Sequence, residues 1–102
     1  MIDWSCIDTV LLDMDGTLLD LHFDNFFWSE HLPRTYALRH QISKEESSAY
    51  LYGECGAEQG TLQWYSLDHW SQRLDLDIAA LKRELQHMIS ARPFAIEFLT
   101  QL

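Results

Sequence analysis

Val10-Leu11-Leu12 is the one stretch of this 102-residue chain that reads as a buried strand, and no other segment offers to pair with it. A continuously apolar run of this kind belongs to strands covered on both faces, as in parallel sheets. Thr9 to Met14 is therefore the expected strand. Alone, it would leave its backbone N–H and C=O groups without ladder partners, which is costly inside a core. The chain implies a sheet whose other strands it does not contain.

Past Gly16 the periodicity is helical. Phe23, Phe26, Phe27 and Leu32 recur at three- to four-residue spacing, so Leu21 to about His40 is expected as one helix or two, bent or broken near Pro33. Ser43-Lys44-Glu45-Glu46 forms a capping box that starts a helix ending between Gly53 and Gly60. Leu62 to Leu74 repeats the pattern with Trp64, Leu67, Trp70 and Leu74. Asp77 can cap a further helix carrying Ile78, Leu81, Leu85 and Met88. Pro93 suits a first helical position, which gives a last helix over Pro93 to Leu102.

A formal net charge of -9, with only seven Lys and Arg, argues against nucleic acid or anionic lipid as a partner. No apolar run approaches a membrane span, and Met1-Ile2-Asp3-Trp4 lacks the basic and apolar segments of a signal peptide, so a cytoplasmic protein is expected. Cys6 and Cys55 stand far apart without a CxxC pair and read as buried or idle thiols, in preference to a disulfide or metal site. The five histidines show no paired ligand spacing, which leaves no zinc site.

The strand runs into Asp13-Met14-Asp15-Gly16-Thr17. Asp15-Gly16 could be a two-residue hairpin turn, but no second strand follows it. A calcium loop would need its glycine two positions later and a Glu where Asp24 stands. A third reading has a buried strand presenting Asp13 at its carboxyl edge, where ligands of open α/β sheets sit. Gly16 would then let the chain turn sharply, so that Asp15 folds over the same space.

Val10 to Thr17 resembles hhhDxDGT, the first signature of the haloacid dehalogenase superfamily, a group of mostly magnesium-dependent phosphatases. The resemblance implies an α/β fold, a Rossmannoid parallel sheet in full-length members, with a helical cap inserted after this signature. Residues 1–17 would be the first core strand and catalytic loop, 18–91 the helical cap, and 92–102 a helix returning to the core, with the remainder of the core absent. LLDMDGTLLDLHFDNFFW, QWYSLDHWSQRLDLDI and the Pro-initiated helix are similar to the superfamily's bacterial 5'-nucleotidases for GMP and IMP.

By that resemblance Asp13 is the nucleophile that forms an aspartyl-phosphate. The Asp15 side chain protonates the leaving oxygen and then takes a proton from the attacking water. Mg²⁺ would be held by the Asp13 carboxylate and the Asp15 carbonyl, with a later acidic ligand that this chain lacks. The second aspartate favours phosphomonoester hydrolysis or phosphomutation over dehalogenation. Full-length members are about twice as long, a normal domain size, and their second half brings a phosphate-binding Ser or Thr, a Lys and further acidic ligands. Lys44 and Lys82 do not replace that Lys, because both read as solvated residues on polar helix faces.

The aromatic series at helical spacing reads as cap core, with purine stacking by Trp28 or Trp64 as the functional alternative. Asp20 and Asp24 read as a solvated helix start, with a substrate-facing role as the alternative. Three functions remain open: a purine nucleoside-monophosphate phosphatase, a sugar-phosphate phosphatase or phosphomutase of the same fold, and a truncated, non-enzymatic helical module. The isolated chain is expected to be helical, inactive and prone to self-association.

Overall fold

The computed structural model describes all 102 residues, Met1–Leu102, and it is helical without a single strand. Six α-helices follow one another: α1 His22–Phe26, α2 Leu32–His40, α3 Lys44–Glu58, α4 Leu67–Leu74, α5 Ile78–Arg83 and α6 Ala95–Gln101. A π-helical turn over Phe27–His31 joins α1 to α2. Pro33 explains it, because proline has no N–H for the i−4 bond and its ring crowds the carbonyl one turn back. The backbone answers by widening: Leu32 N–H bonds to Phe27 O, five residues back. The expected bend near Pro33 is thus a continuous helical rod with one loosened turn.

Capping residues set the other boundaries. Ser43 Oγ accepts the Glu46 N–H at 3.0 Å and starts α3, and Asp77 Oδ1 accepts the Ala80 N–H at 3.0 Å and starts α5. Ser66 Oγ accepts the His69 N–H at 3.2 Å, so the expected helix over Leu62–Leu74 is divided into a 3₁₀ turn, Gln63–Tyr65, and α4. The side chain competes with the helical backbone for the same donor. Likewise the helix expected to reach Met88 stops at Arg83, where Leu85 leaves helical geometry and a 3₁₀ turn covers Gln86–Met88. Pro93 does not open the last helix. Phe94 adopts a left-handed conformation, φ 67°, and α6 starts one residue later.

The core lies among these helices. Phe27, Leu32, Leu51, Trp70, Leu74, Ile78 and Leu85 form one buried cluster, with Trp28, Tyr36, Cys55 and Leu67 packed at its edge. Ser47, fully buried, donates to the Pro33 carbonyl at 2.7 Å and locks α3 onto α2. Arg39 and Asp75 pair at 2.7 Å, tying the end of α2 to the left-handed corner after α4.

The expected strand over Thr9–Met14 is not formed. No neighbouring backbone pairs with it, and Val10, Leu11, Leu12 and Met14 lie exposed. The molecule is accordingly drawn out. Its radius of gyration is 17.7 Å, against about 13 Å for a compact chain of this length. Its surface of 7764 Å² exceeds the roughly 6,000 Å² of a compact protein of this mass.

Candidate active site

Where the extended segment meets the helices, the chain curls on itself. The Met14 carbonyl accepts the N–H groups of Thr17, Leu18 and Leu19 at 3.2, 2.9 and 2.9 Å, and Gly16 N–H donates to Leu19 O at 2.8 Å. Gly16 makes the turn possible: its φ is +81°, and a Cβ there would lie 3.2 Å from the Leu21 side chain. Thr17 Oγ1 donates to Asp13 Oδ2 at 3.2 Å, which orients the first carboxylate. Arg92 Nη1 reaches back to the Gly16 carbonyl at 3.3 Å.

The same place is where the chain enters and leaves its helical part. Asp20 N–H donates to Ser90 O and Arg92 N–H to Leu18 O, both at 2.9 Å, around an antiparallel bridge between Leu19 and Ala91. The Asp13–Thr17 loop is therefore fixed to a neck in which two extended segments meet at that single bridge.

Above the loop opens a cleft of about 790 Å³ whose walls include Asp15, Asp24, Trp28, Tyr52, Trp64 and Lys82. The π-turn carries Trp28, and Trp28 Nε1 donates to Asp24 Oδ1 at 3.2 Å. Trp70, on the cleft floor, donates its indole N–H to the Trp64 carbonyl at 3.0 Å and so holds the 3₁₀ turn that carries Trp64. Cys55 also lines the cleft, and burial, with Glu58 and Glu54 nearby, pushes its thiol above the ordinary range.

The chain is 45% identical over 101 residues to the GMP/IMP nucleotidase YrfG of Escherichia coli K12, and equally to that of Shigella flexneri. The chain is similar to these haloacid-dehalogenase-family enzymes along nearly its whole length. The match takes in 99% of this chain and 46% of each nucleotidase, so the chain spans about half the length of the curated relatives it matches. No protein-family profile matches it, and no solved structure does.

Of the residues singled out in the sequence, Asp15, Asp24, Trp28 and Trp64 share the cleft. Asp13 does not line it, although it lies on the same loop as Asp15. Asp20 does not line it; its carboxylate accepts the N–H of His22, the first residue of α1, at 2.7 Å. Lys44 pairs with Glu30, whose carboxyl it holds below the usual range.

Lys82 corrects the sequence reading. It is not a solvated lysine on a polar face: its side chain is 20% exposed, lines the cleft and pairs with Asp24 at 3.2 Å. The signal was its register, since Lys82 follows Ile78 by four residues and precedes Leu85 by three, within the apolar stripe of α5.

Asp13 and Asp15 offer hard oxygen donors of the kind Mg²⁺ takes. No group of three His, Cys, Asp or Glu side chains that could hold a metal ion converges here or elsewhere in the chain. No helix is long and apolar enough to cross a membrane.

Proposed function

We propose that this chain carries the nucleophile loop and helical cap of a magnesium-dependent phosphomonoester hydrolase, a purine nucleoside-monophosphate 5'-nucleotidase. The carrying observation is the 45% identity to proteins named GMP/IMP nucleotidase, over a segment that contains both Asp13 and Asp15. An aromatic-walled cleft opening on Asp15 supports it, because a purine needs flat apolar surface near the scissile phosphate.

In this reading Asp13 attacks phosphorus, the ester P–O bond breaks, and the Asp15 carboxyl gives its proton to the leaving ribose oxygen. Asp15, now ionised, takes a proton from water as that water attacks phosphorus and breaks the bond to Asp13. Thr17 Oγ1, donating to Asp13 Oδ2, helps to orient the attacking carboxylate. Mg²⁺, held by Asp13 and the Asp15 carbonyl together with ligands from beyond these residues, would supply the counter-charge that lets one anion approach another. Residues 18–91 act as the cap, entering and leaving through the Leu19–Ala91 neck.

Phosphate release from GMP, IMP and p-nitrophenyl phosphate, with and without Mg²⁺, tests the reading in the full protein carrying this chain. Asp13→Asn should abolish turnover, and Asp15→Asn should lower it by about 10²- to 10⁴-fold. Near-normal activity in Asp13→Asn sinks the assignment. Residues 1–102 alone should release no phosphate, since two aspartates do not complete the metal site.

A further inference from the structure

The cleft contains one cation, Lys82, and that cation is held in an unusual way. Lys82 Nζ lies 3.2 Å from Asp24 Oδ1 and 5.1, 5.2 and 5.7 Å from the ring centres of Phe27, Trp28 and Phe23. Trp28 Nε1 donates to that same carboxylate oxygen. Asp24 Oδ2 accepts nothing, and two of the three Lys82 N–H donors remain uncommitted.

The Asp24 side chain keeps 40% of its surface exposed, and an ion pair open to water on one side adds little stability. Its chemistry suits recognition better. An ammonium beside a carboxylate carries no net charge, so the pair is a poor seat for a phosphate dianion. It matches a neutral, flat group that shows an acceptor next to a donor and can lie against the Trp28 indole.

We infer that Lys82 and Asp24 read the base of the substrate and select a 6-oxopurine. Lys82 donates to O6, Asp24 Oδ2 accepts from N1–H, and Trp28 offers its ring to the base. Adenine in the same seat would set its amino donor against the ammonium and its N1 acceptor against the carboxylate, so both contacts fail. The inference rests on the nucleotidase reading and deepens it by naming the residues that choose the base.

Steady-state kinetics on IMP, AMP and ribose 5-phosphate in the full protein test it. Lys82→Met should raise KM for IMP by about tenfold or more, with kcat changed far less, and narrow the preference for IMP over AMP by a similar factor. Ribose 5-phosphate, which has no base, should lose much less than IMP. Lys82→Arg, which keeps a donor, should restore most of the preference. Asp24→Asn preserves size, and it carries the same test if Lys82→Met does not fold.

Equal losses on all three substrates would place the pair in phosphate binding or in packing and overturn the inference, as would an unaltered IMP/AMP ratio. Wild-type protein that hydrolyses ribose 5-phosphate and neither purine nucleotide would instead remove the nucleotidase reading itself, and this inference with it. Binding of IMP and AMP to the Asp13→Asn protein, followed by tryptophan fluorescence, gives the base preference without turnover. Lys82→Met must erase that preference as well.

Discussion

The two segments that flank residues 22–88 are richer in apolar side chains than those residues are, yet of the flanking side chains only Ala95 is buried. Phe27 and Ile78 are fully covered, whereas Leu11 is 92% and Phe94 79% exposed. A helix satisfies its backbone within itself, so it needs a partner for only one stripe of side chains, and α1 to α5 find such partners in one another. A strand needs a neighbour for its backbone as well as for both faces, and nothing in this chain supplies either to Thr9–Met14. Pattern alone therefore decides whether a segment can be buried; partners decide whether it is.

The strongest way to break this contrast is to make the same truncation on both sides of it. Phe27→Ala removes a ring from the centre of the cluster and should cost about 3–5 kcal/mol, enough to unfold a chain this small. Leu11→Ala in the isolated chain should cost almost nothing, because its side chain already faces water. Urea titration followed by circular dichroism measures both. Repeated in the full protein, Leu11→Ala should become costly if further chain covers this segment, and it should stay silent if none does. The bare apolar flanks should also make residues 1–102 self-associate, with a sedimentation coefficient that rises with concentration.

The same contrast explains what could be read before the structure. The turn at Asp13-x-Asp15-Gly16-Thr17 was legible because it depends on residues adjacent in sequence. The caps at Ser43 and Asp77 were legible for the same reason. Ser66 was hidden by the hydrophobic spacing of Trp64, Leu67, Trp70 and Leu74, which runs straight through the position where a hydroxyl captures the His69 N–H. Lys82 was misread because charge was given more weight than register: a lysine within an apolar stripe faces whatever the stripe faces, and here that includes Asp24 and three rings. The strand was legible as a need for partners, and the structure shows that need unmet.

A smaller probe tests how firmly the packed half is joined. Ser47 is fully buried between α2 and α3, and its hydroxyl donates to the Pro33 carbonyl in the turn after the π-helix. Ser47→Ala removes the donor and leaves that carbonyl with one partner fewer, so a loss of about 1 kcal/mol is expected in the same urea titration. Ser47→Val would add bulk as well and should cost more. A neutral Ser47→Ala would mean that apolar contact alone holds the two helices together.

The mildest test sets the two cysteines against each other, one in each region. Cys6 lies exposed in the 3₁₀ turn Trp4–Cys6, while Cys55 is partly covered on α3 at the edge of the core. Burial raises the Cys55 thiol, and the carboxylates of Glu58 and Glu54 raise it further. Since the thiolate is the reactive form, a raised pKa means less of it at any pH below that value, in addition to poorer access for a reagent. With iodoacetamide at mildly alkaline pH, followed by peptide mass mapping, Cys6 should therefore be modified first. The rate at Cys55 should still be climbing with pH where an unperturbed thiol, near about 8.5, has begun to level off. Denaturant should erase the difference. If Cys55 reacts as fast as Cys6 in the folded chain, the wall of the cleft opens readily, and the division between a closed helical half and bare flanks is less sharp than the burial of Trp70 and Phe27 indicates.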